Sequence, residues 1–245
     1  MIRSRLRAVR RRLRRLREQL LGRLYGVIVG VATEQPLIAL TFDDGPDPVT
    51  TPAVLDILAR HGARATFFMV GDAARRHPDI AATVAAAGHA VAHHTLEHVS
   101  LPGLGREEVR RQIVGGFEAI GPTCERLFRP PWGHLDRVAF QTARRAGNEV
   151  VAWSGHAFDW TSQDASSLTE RLRATLAPGA IVLLHDARQR CDAEDGPRAE
   201  LLLALDAVLA ASKHTWRFVS LPELLAAGRP QRETRWRTAP PNFGA

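Results

Sequence analysis

The stretch PLIALTFDDGP, residues 36–46, joins a short apolar run to two carboxylates and a tight turn. The apolar part is too short for a typical helix and is bounded by Pro36 and Gly45, so it predicts a buried strand. Outward from this stretch, the chain alternates similar short apolar runs with longer helical stretches. We predict seven strands, at residues 37–42, 65–70, 89–93, 126–129, 149–153, 180–185 and 217–220.

This alternation predicts an α/β fold with a parallel sheet of about seven strands. A distorted or incomplete (β/α) barrel is the simplest arrangement, and an open doubly wound sheet is the alternative. In both arrangements, functional side chains collect beyond the carboxyl ends of the strands. The 245 residues suit one catalytic domain, which we place at residues 36–228. We assign residues 1–35 to an arm with a lead-in strand, and residues 229–245 to a basic, weakly ordered tail.

Positive charge is concentrated at the two ends of the chain. The formal net charge is +7, but residues 1–23 hold ten Arg and one Glu, and residues 229–245 hold four Arg and one Glu. The rest of the chain is therefore mildly acidic, which argues against a body that binds nucleic acid. Two cysteines, Cys124 and Cys191, are too few for a disulfide framework. No apolar run reaches the roughly 18 residues that predict a membrane-spanning helix.

Residues 2–24 carry apolar side chains at spacings of three and four, with arginines between them. This pattern predicts a basic amphipathic helix. One interpretation is an anchor on an anionic membrane surface, and the other is a helix packed on its own domain or on a second copy. A signal peptide is disfavoured, because the basic segment is long and Gly26 and Gly30 interrupt the apolar stretch, in which residues 27–31 favour a strand. We therefore favour peripheral membrane association or a cell-envelope location.

Titratable side chains follow several predicted strands at the point where each strand ends. They are Asp43, Asp44, His94, His98, Arg129, Asp159 and His185. Because parallel strands end at the same edge of a sheet, we expect these side chains to lie close together. Each residue taken alone has an ordinary structural explanation, but together on one edge they predict an enzyme.

The spacing of His94 and His98 predicts two imidazoles on one face of a helical turn, where one carboxylate would complete a three-ligand metal site. One aspartate of the adjacent pair would then bind the metal while the other remains a base. His185, from across the edge, would protonate a leaving amine. Non-haem iron oxygenases also use two histidines and a carboxylate, but they need neither the second carboxylate nor the opposite histidine. The pattern therefore favours hydrolysis, with bound Zn²⁺ activating water.

Five motifs that occur in order carry a resemblance to a known family. They are TFDDGP at residues 41–46, HTLEH at 94–98, RPPWG at 129–133, DW at 159–160 and IVLLH at 181–185. The sequence ATFFMVG at residues 65–71 is a further matching stretch. Over residues 36–227 the chain resembles the polysaccharide deacetylases, the nodulation-type chitooligosaccharide deacetylase domain of carbohydrate esterase family 4.

The resemblance implies a distorted barrel of seven strands and a metal-dependent N-deacetylase of acetylated amino sugars. By similarity, Zn²⁺, or Co²⁺, Mn²⁺ or Ni²⁺ in its place, would be held by Asp44, His94 and His98. The implied catalytic residues are Asp43 as base, Arg129 as the residue that holds it, His185 as acid and Asp159 as the residue that orients the acid. The implied substrate and oxyanion contacts are the backbone N–H of Trp132 and the side chains of Trp160 and Leu183 around the acetyl methyl group.

The chain departs from the family pattern at three positions. His156 stands where aspartate is usual, Trp132 replaces tyrosine, and His93 replaces asparagine. His156 either alters the sugar contacts or is a surface-loop histidine, and His93 is expected to point away from the metal. The expected substrate is an acetylated amino-sugar polymer or a glycolipid. The alternatives are a deacetylase or deformylase of a lipid-linked sugar at the membrane, and a metal-binding family member without activity.

Overall fold

The computed structural model of the chain describes residues 26–187 and 198–234. The strands in these ranges are β1 (Val27–Ala32), β2 (Leu37–Asp43), β3 (Ala65–Met69), β4 (Ala90–His93), β5 (Cys124–Phe128), β6 (Glu149–Val150), β7 (Gly155–His156), β8 (Ile181–His185), β9 (Arg217–Phe218) and β10 (Arg229–Glu233). The α-helices are α1 (Thr50–Arg60), α2 (Gly71–Arg76), α3 (Pro78–Ala86), α4 (Arg106–Ile120), α5 (Arg137–Arg145), α6 (Ala165–Ala174), α7 (Ala199–Ser212) and α8 (Leu221–Ala226). A short 3-10 turn, Pro131–Gly133, follows β5.

Seven strands form one sheet in the order β6-β5-β4-β3-β2-β8-β7, and every neighbouring pair in it is parallel. The short β9 adds to the start of β2. The edge strands β6 and β7 are separated in sequence only by residues 151–154, so the sheet curls until its two edges approach each other. This confirms the predicted distorted (β/α) barrel, and the open doubly wound alternative is wrong.

The central strand β2 shows how this sequence builds the barrel. All seven of its residues are buried, and successive side chains point to opposite faces. Ile38, Leu40 and Phe42 pack in the layer that also contains helix residues, whereas Leu37 and Ala39 pack in the cluster on the other face of the sheet. Full burial stabilises the fold by about 1.5–3 kcal/mol for each large apolar side chain. The continuous apolar run is therefore the expected sequence of a strand covered on both faces.

Strand β1 lies across the gap between the two edges of the sheet. Ile28 bridges Val151 beyond β6, and the same strand also bridges Ala180 just before β8. Gly179 lies so close to β1 that a Cβ atom there would stand 1.8 Å from the carbonyl oxygen of Val31. Glycine at this position is therefore required by the close approach of the two backbones.

Strand β10 pairs with β1 in antiparallel fashion, with Val27 opposite Glu233. We expected a weakly ordered tail from residue 229 onward, but residues 229–233 form this strand. Its sequence RPQRE has no apolar alternation that would mark a strand; it is held by pairing with β1 and by Arg232, which binds Glu149 at 2.8 Å. The remainder of the predicted tail, residues 235–245, lies outside the described residues.

The predicted basic helix at residues 2–24 and Cys191 also lie outside the described residues. Residues 27–31, expected to form a lead-in strand, lie within β1. Cys124 is a buried free thiol. None of the helices within residues 26–187 and 198–234 has the length and apolarity that crossing a bilayer requires.

Candidate active site

The carboxyl ends of the strands meet at one rim, and the predicted site residues lie along it. Asp43 ends β2 and His185 ends β8, and the two are register partners in adjacent strands. His94 and Arg129 directly follow β4 and β5, and Asp159 lies in the loop after β7. The fold therefore gathers titratable side chains from distant parts of the chain at one place.

Asp44, His94 and His98 form the first group on this rim, which we call the ligand group. Their ligand atoms all lie within 4.8 Å of one another. Asp44 Oδ1 is 3.5 Å from His94 Nε2 and 3.1 Å from His98 Nε2. The three side chains thus converge as the sequence spacing suggested.

The backbone that produces this convergence is not the helical turn that we expected. Residues 94–98 form an irregular loop after β4, in which Thr95 and His98 have φ values of 68° and 53°. Thr95 Oγ1 accepts the backbone N–H of His98 at 3.0 Å and closes the loop. The ring of His98 therefore returns to 4.9 Å from the ring of His94. Left-handed backbone conformations in residues other than glycine are strained and are typical of functional sites.

This group fits a divalent metal ion. His94 Nδ1 lies 2.7 Å from the carbonyl oxygen of Arg129, which places the proton on Nδ1 and leaves Nε2 as a ligand atom. Among the described residues, no donor is aligned with the buried Asp44 Oδ1, although His98 Nε2 is near. One carboxylate and two imidazoles are a donor set that Zn²⁺ and several other divalent ions accept.

The protonation states of this group agree with a ligand role. Burial favours the neutral form of Asp44, but the imidazoles of His98, His185 and His94 outweigh burial and hold the pKa of Asp44 below its usual range. Burial, together with neighbouring His98, holds the pKa of His94 well below its ordinary value. The aspartate is therefore ionised and the His94 imidazole neutral, as metal coordination requires.

Asp43 is held by Arg129 rather than by the ligand group. Arg129 Nη1 donates to Asp43 Oδ1 at 2.6 Å and to Thr41 Oγ1 at 2.8 Å, and Nη2 donates to the carbonyl of Ala152 at 2.9 Å. Burial raises the pKa of Asp43 to about 6, since it outweighs the attraction of Arg129. The second oxygen, Oδ2, lies 3.7 Å from His94 Nε2. Asp43 is thus an ionised carboxylate at neutral pH, with one oxygen tied and the other directed to the ligand group.

His185 and Asp159 form a second pair on the rim. His185 Nδ1 is 3.0 Å from Asp159 Oδ1, and the backbone N–H of His185 donates to Asp159 Oδ2 at 2.9 Å. Burial disfavours a charged imidazole, but Asp159 outweighs it and raises the pKa of His185 to about 9. Because Nδ1 is engaged, the imidazolium can release a proton only from Nε2.

Trp132 stands beside the ligand group, on the 3-10 turn after β5. Its ring is 4.4 Å from the ring of His98, and 45% of the residue is exposed. Its φ is 54°, a conformation that costs a bulky residue about 1–3 kcal/mol. The turn therefore presents both the indole and the backbone of Trp132 at the rim.

Trp160 and Leu183 lie on the side of His185. The Trp160 ring stands edge-on to the His185 ring at 5.5 Å. Leu183 is buried in β8, opposite His156 of β7. His156 lies in the strand β7 and is partly buried, and its ring is 5.2 Å from the ring of Trp160.

His93 lies apart from the ligand group, as expected for a neighbour on a regular strand. Its ring stacks on Phe128 at 5.0 Å and meets Phe117 edge-on at 5.8 Å. Burial lowers the pKa of His93 to about 4. The residue is thus a neutral core histidine.

Two buried ionisable groups near the site, Asp186 and Arg198, were not predicted from the sequence. Asp186, directly after His185, accepts a hydrogen bond from Thr51 Oγ1 at 2.5 Å, and burial raises its pKa to about 7. Arg198 donates to the carbonyl of His185 at 2.6 Å and to Asp159 Oδ2 at 3.0 Å. Asp186 could have been predicted as a site residue because it directly follows a predicted strand that ends at His185, whereas Arg198 follows no predicted strand.

A family model described as polysaccharide deacetylase matches residues 30–151. A peptidoglycan-N-acetylglucosamine deacetylase of Bacillus cereus is 36% identical over 200 residues, which cover 80% of this chain and 91% of that protein. The chain belongs to the polysaccharide deacetylase family. It is accordingly a hydrolase of the class that acts on carbon–nitrogen bonds in linear amides.

Other members of the polysaccharide deacetylase family agree in sequence and in fold. A chitooligosaccharide deacetylase of Sinorhizobium fredii is 40% identical over 158 residues, 63% of this chain and 74% of that protein. The crystal structure of the Bc1960 peptidoglycan N-acetylglucosamine deacetylase matches with a TM-score of 0.76 at 28% identity, covering 86% of this chain and 98% of that one.

The same fold also occurs without activity. A Bacillus anthracis structure described as a family pseudoenzyme has a TM-score of 0.74 at 23% identity, covering 85% of this chain and 72% of that one. The residues of the site, and not the barrel alone, therefore bear on what a given polysaccharide deacetylase can do.

Proposed function

We propose that the protein removes N-acetyl groups from N-acetylglucosamine-type units of a polysaccharide or oligosaccharide. One observation carries the proposal: a ligand group, a carboxylate fixed by a buried arginine and a histidine paired with a buried carboxylate share one rim. The relatives named above are a peptidoglycan-N-acetylglucosamine deacetylase and a chitooligosaccharide deacetylase. Substrates of both kinds present the same acetamido group.

Asp44, His94 and His98 would hold the metal ion, for which Zn²⁺ is the first candidate and Co²⁺, Mn²⁺ and Ni²⁺ the others. Such an ion, when bound, lowers the pKa of water toward about 7 and polarises a carbonyl oxygen. The role of the three side chains is to fix the position of this charge beside Asp43. Proton transfer is then left to other residues of the site.

Two residues move the protons of the reaction. Asp43 accepts a proton from water as the water oxygen adds to the acetamide carbonyl carbon, and Arg129 keeps that carboxylate in place. As the carbon–nitrogen bond breaks, His185 donates the proton on Nε2 to the departing nitrogen, and Asp159 stabilises the imidazolium beforehand. The products are acetate and a free amine on the sugar.

The remaining site residues position the acetyl group. The backbone N–H of Trp132 would donate to the developing oxyanion, a contribution of about 3–4 kcal/mol for one preorganised donor. Trp160 and Leu183 would enclose the methyl group from the His185 side of the rim. A small apolar enclosure of this kind favours acetyl over larger acyl groups.

The proposal is tested by acetate release from N-acetylglucosamine oligomers, using metal-loaded full-length protein. Asp43→Asn should abolish release while the protein still binds about one metal ion, because the amide keeps the size of the side chain but accepts no proton. Asp56→Asn is the matched control, since Asp56 is an exposed carboxylate on α1. Release that survives Asp43→Asn, or loss of metal from Asp43→Asn but not from Asp44→Asn, would contradict the assigned roles.

A lipid-linked sugar at a membrane is the second candidate substrate, and the arginines of residues 2–24 favour it. Each arginine near an anionic surface contributes about 1 kcal/mol of attraction. This version predicts that the full chain sediments with phosphatidylglycerol vesicles and that protein lacking residues 1–25 does not. Equal behaviour of the two proteins would remove the support for peripheral membrane association and leave a polymer of the cell envelope as the proposed substrate.

A further inference from the structure

Arg198 is a buried cation in direct contact with the His185–Asp159 pair. Only 6% of its side chain is exposed. Nη1 donates to the backbone carbonyl of His185 at 2.6 Å. Nη2 donates to Asp159 Oδ2 at 3.0 Å and also to the backbone carbonyl of Asp159. A single guanidinium thus binds both members of the pair.

These contacts join a third segment to two that already touch, because β7 pairs with β8 and His185 binds Asp159 directly. His185 ends β8, Asp159 lies in the loop after β7, and Arg198 directly precedes α7. The planar guanidinium fixes the directions of its donors, so it sets the relative position of the two backbones as well as of the carboxylate. Asp159 Oδ2 is shared by Arg198 and the His185 N–H, which leaves Oδ1 to face the imidazole.

We propose that Arg198 is a positioning residue for deacetylation, which holds Asp159 and the end of β8 so that His185 Nε2 faces the scissile nitrogen. This inference rests on the proposed function, because it takes His185 as the proton donor. Arg198 contacts neither the ligand group nor Asp43 in the described part of the chain, so its effect is confined to the acid side of the site.

The positive charge of Arg198 lowers the pKa of His185, whereas the negative charge of Asp159 raises it. The charged groups that face His185 are Asp159 in the loop after β7, Asp43 and Asp44 at the end of β2, and Arg198 behind Asp159. Arg198 neutralises part of the Asp159 charge. Replacing it with an uncharged residue leaves His185 as the only cation on that carboxylate, which favours the imidazolium. Removing the Asp159 charge favours the neutral ring instead.

The test compares Arg198→Met and Arg198→Lys in metal-loaded full-length protein, with Arg173→Met, an exposed arginine of α6, as control. We expect Arg198→Met to lower kcat by about tenfold or more, to leave KM within about twofold and to retain the metal, since a displaced acid slows the chemical step. Arg198→Lys should recover part of kcat, because lysine keeps the positive charge but lacks the planar set of donors of the guanidinium. Arg173→Met should match the wild type.

NMR titration of the His185 ring supplies a readout independent of turnover. We expect its midpoint to rise by about half a pH unit in Arg198→Met, to stay near the wild-type value in Arg198→Lys and to fall in Asp159→Asn. An unchanged or lower midpoint in Arg198→Met, or wild-type kcat in either Arg198 variant, would overturn the proposal. If Arg198→Met does not fold, kcat and the midpoint of Arg198→Lys decide. If wild-type protein releases no acetate, the proposed function fails, while the titration still decides whether Arg198 tunes His185.

Discussion

The rim has two sides, the acid side with His185 and Asp159 and the ligand side with the ligand group. They differ in how many of their buried polar atoms have hydrogen-bond partners. On the acid side, both oxygens of Asp159 and Nδ1 of His185 have hydrogen-bond partners, and Arg198 supplies more. On the ligand side, Asp44 Oδ1 and His98 Nδ1 are buried without an aligned partner among the described residues. Buried polar groups without partners are costly, so these atoms fit a site that could hold a metal ion. The acid side is complete by itself.

The largest expected effect comes from breaking the ligand side. His94→Ala should lose the metal and reduce turnover by about 10³-fold or more, because the ion and its charge leave the site together. Metal content by atomic emission and acetate release measure the two losses. A variant that keeps one metal ion per chain would show that His94 is not a ligand.

Breaking the acid side should be less severe and should spare the metal. Asp159→Asn should reduce turnover by about 10²-fold. Asp159 raises the pKa of His185, and an acid works only while protonated, so activity falls as pH rises through that pKa. In the variant this decline should begin at lower pH, which a kcat/KM profile against pH would detect. If the fall of kcat/KM at alkaline pH is the same in the variant, a group other than His185 causes it.

Removing the metal should lower the melting temperature of proteins with an intact ligand group but not that of a variant that lacks a metal ligand. An ion that binds only the folded protein stabilises it by about 2.7 kcal/mol when present at 100 times its Kd. Wild-type protein should therefore melt at a higher temperature with Zn²⁺ than with chelator, and Asp159→Asn should show the same increment. His94→Ala should show none. An equal increment in His94→Ala would place the stabilising ion elsewhere.

The smallest expected effect concerns exposed ion pairs next to the loop of residues 94–98, the ligand loop. Arg111 pairs with Glu97 at 2.5 Å and with Glu108 at 2.7 Å, and Glu97 directly precedes His98. Exposed ion pairs contribute little because water and salt screen them. Arg111→Ala should change metal affinity by less than about twofold, measured by competition with a chromophoric chelator. A tenfold change would mean that this network holds the ligand loop in place.

The sequence predicted the parts of the site that follow strongly patterned strands. Asp43 and His185 end apolar runs, and parallel strands bring such ends to one edge. The conformation around His98 was not predictable in this way, because a four-residue spacing is compatible with a helical turn and with the observed loop of positive φ. Arg198 was missed for a related reason: its contacts depend on where α7 begins in space, and no local sequence pattern encodes that position.

Strand β10 shows the same limit in the fold. Its residues, RPQRE, carry no apolar alternation, and its pairing partner β1 lies near the other end of the chain. Strands that form mainly through backbone pairing at an edge leave little trace in side-chain pattern. Strands β2, β3 and β8 were predictable because burial on both faces requires a continuous apolar run. The two-residue β7 has no such run and was not predicted, and the predicted strand at residues 217–220 is the short β9, which pairs with the start of β2.

The pairing of β1 with β10 also determines where the charges of the protein are attached. Val27 lies opposite Glu233, so the chain enters and leaves the barrel side by side. The ten arginines of residues 1–23 and those at positions 235 and 237 are therefore tethered at one point of a body that is itself mildly acidic. The two basic segments and the body between them carry opposite net charge, so a charged surface acts on them with opposite sign.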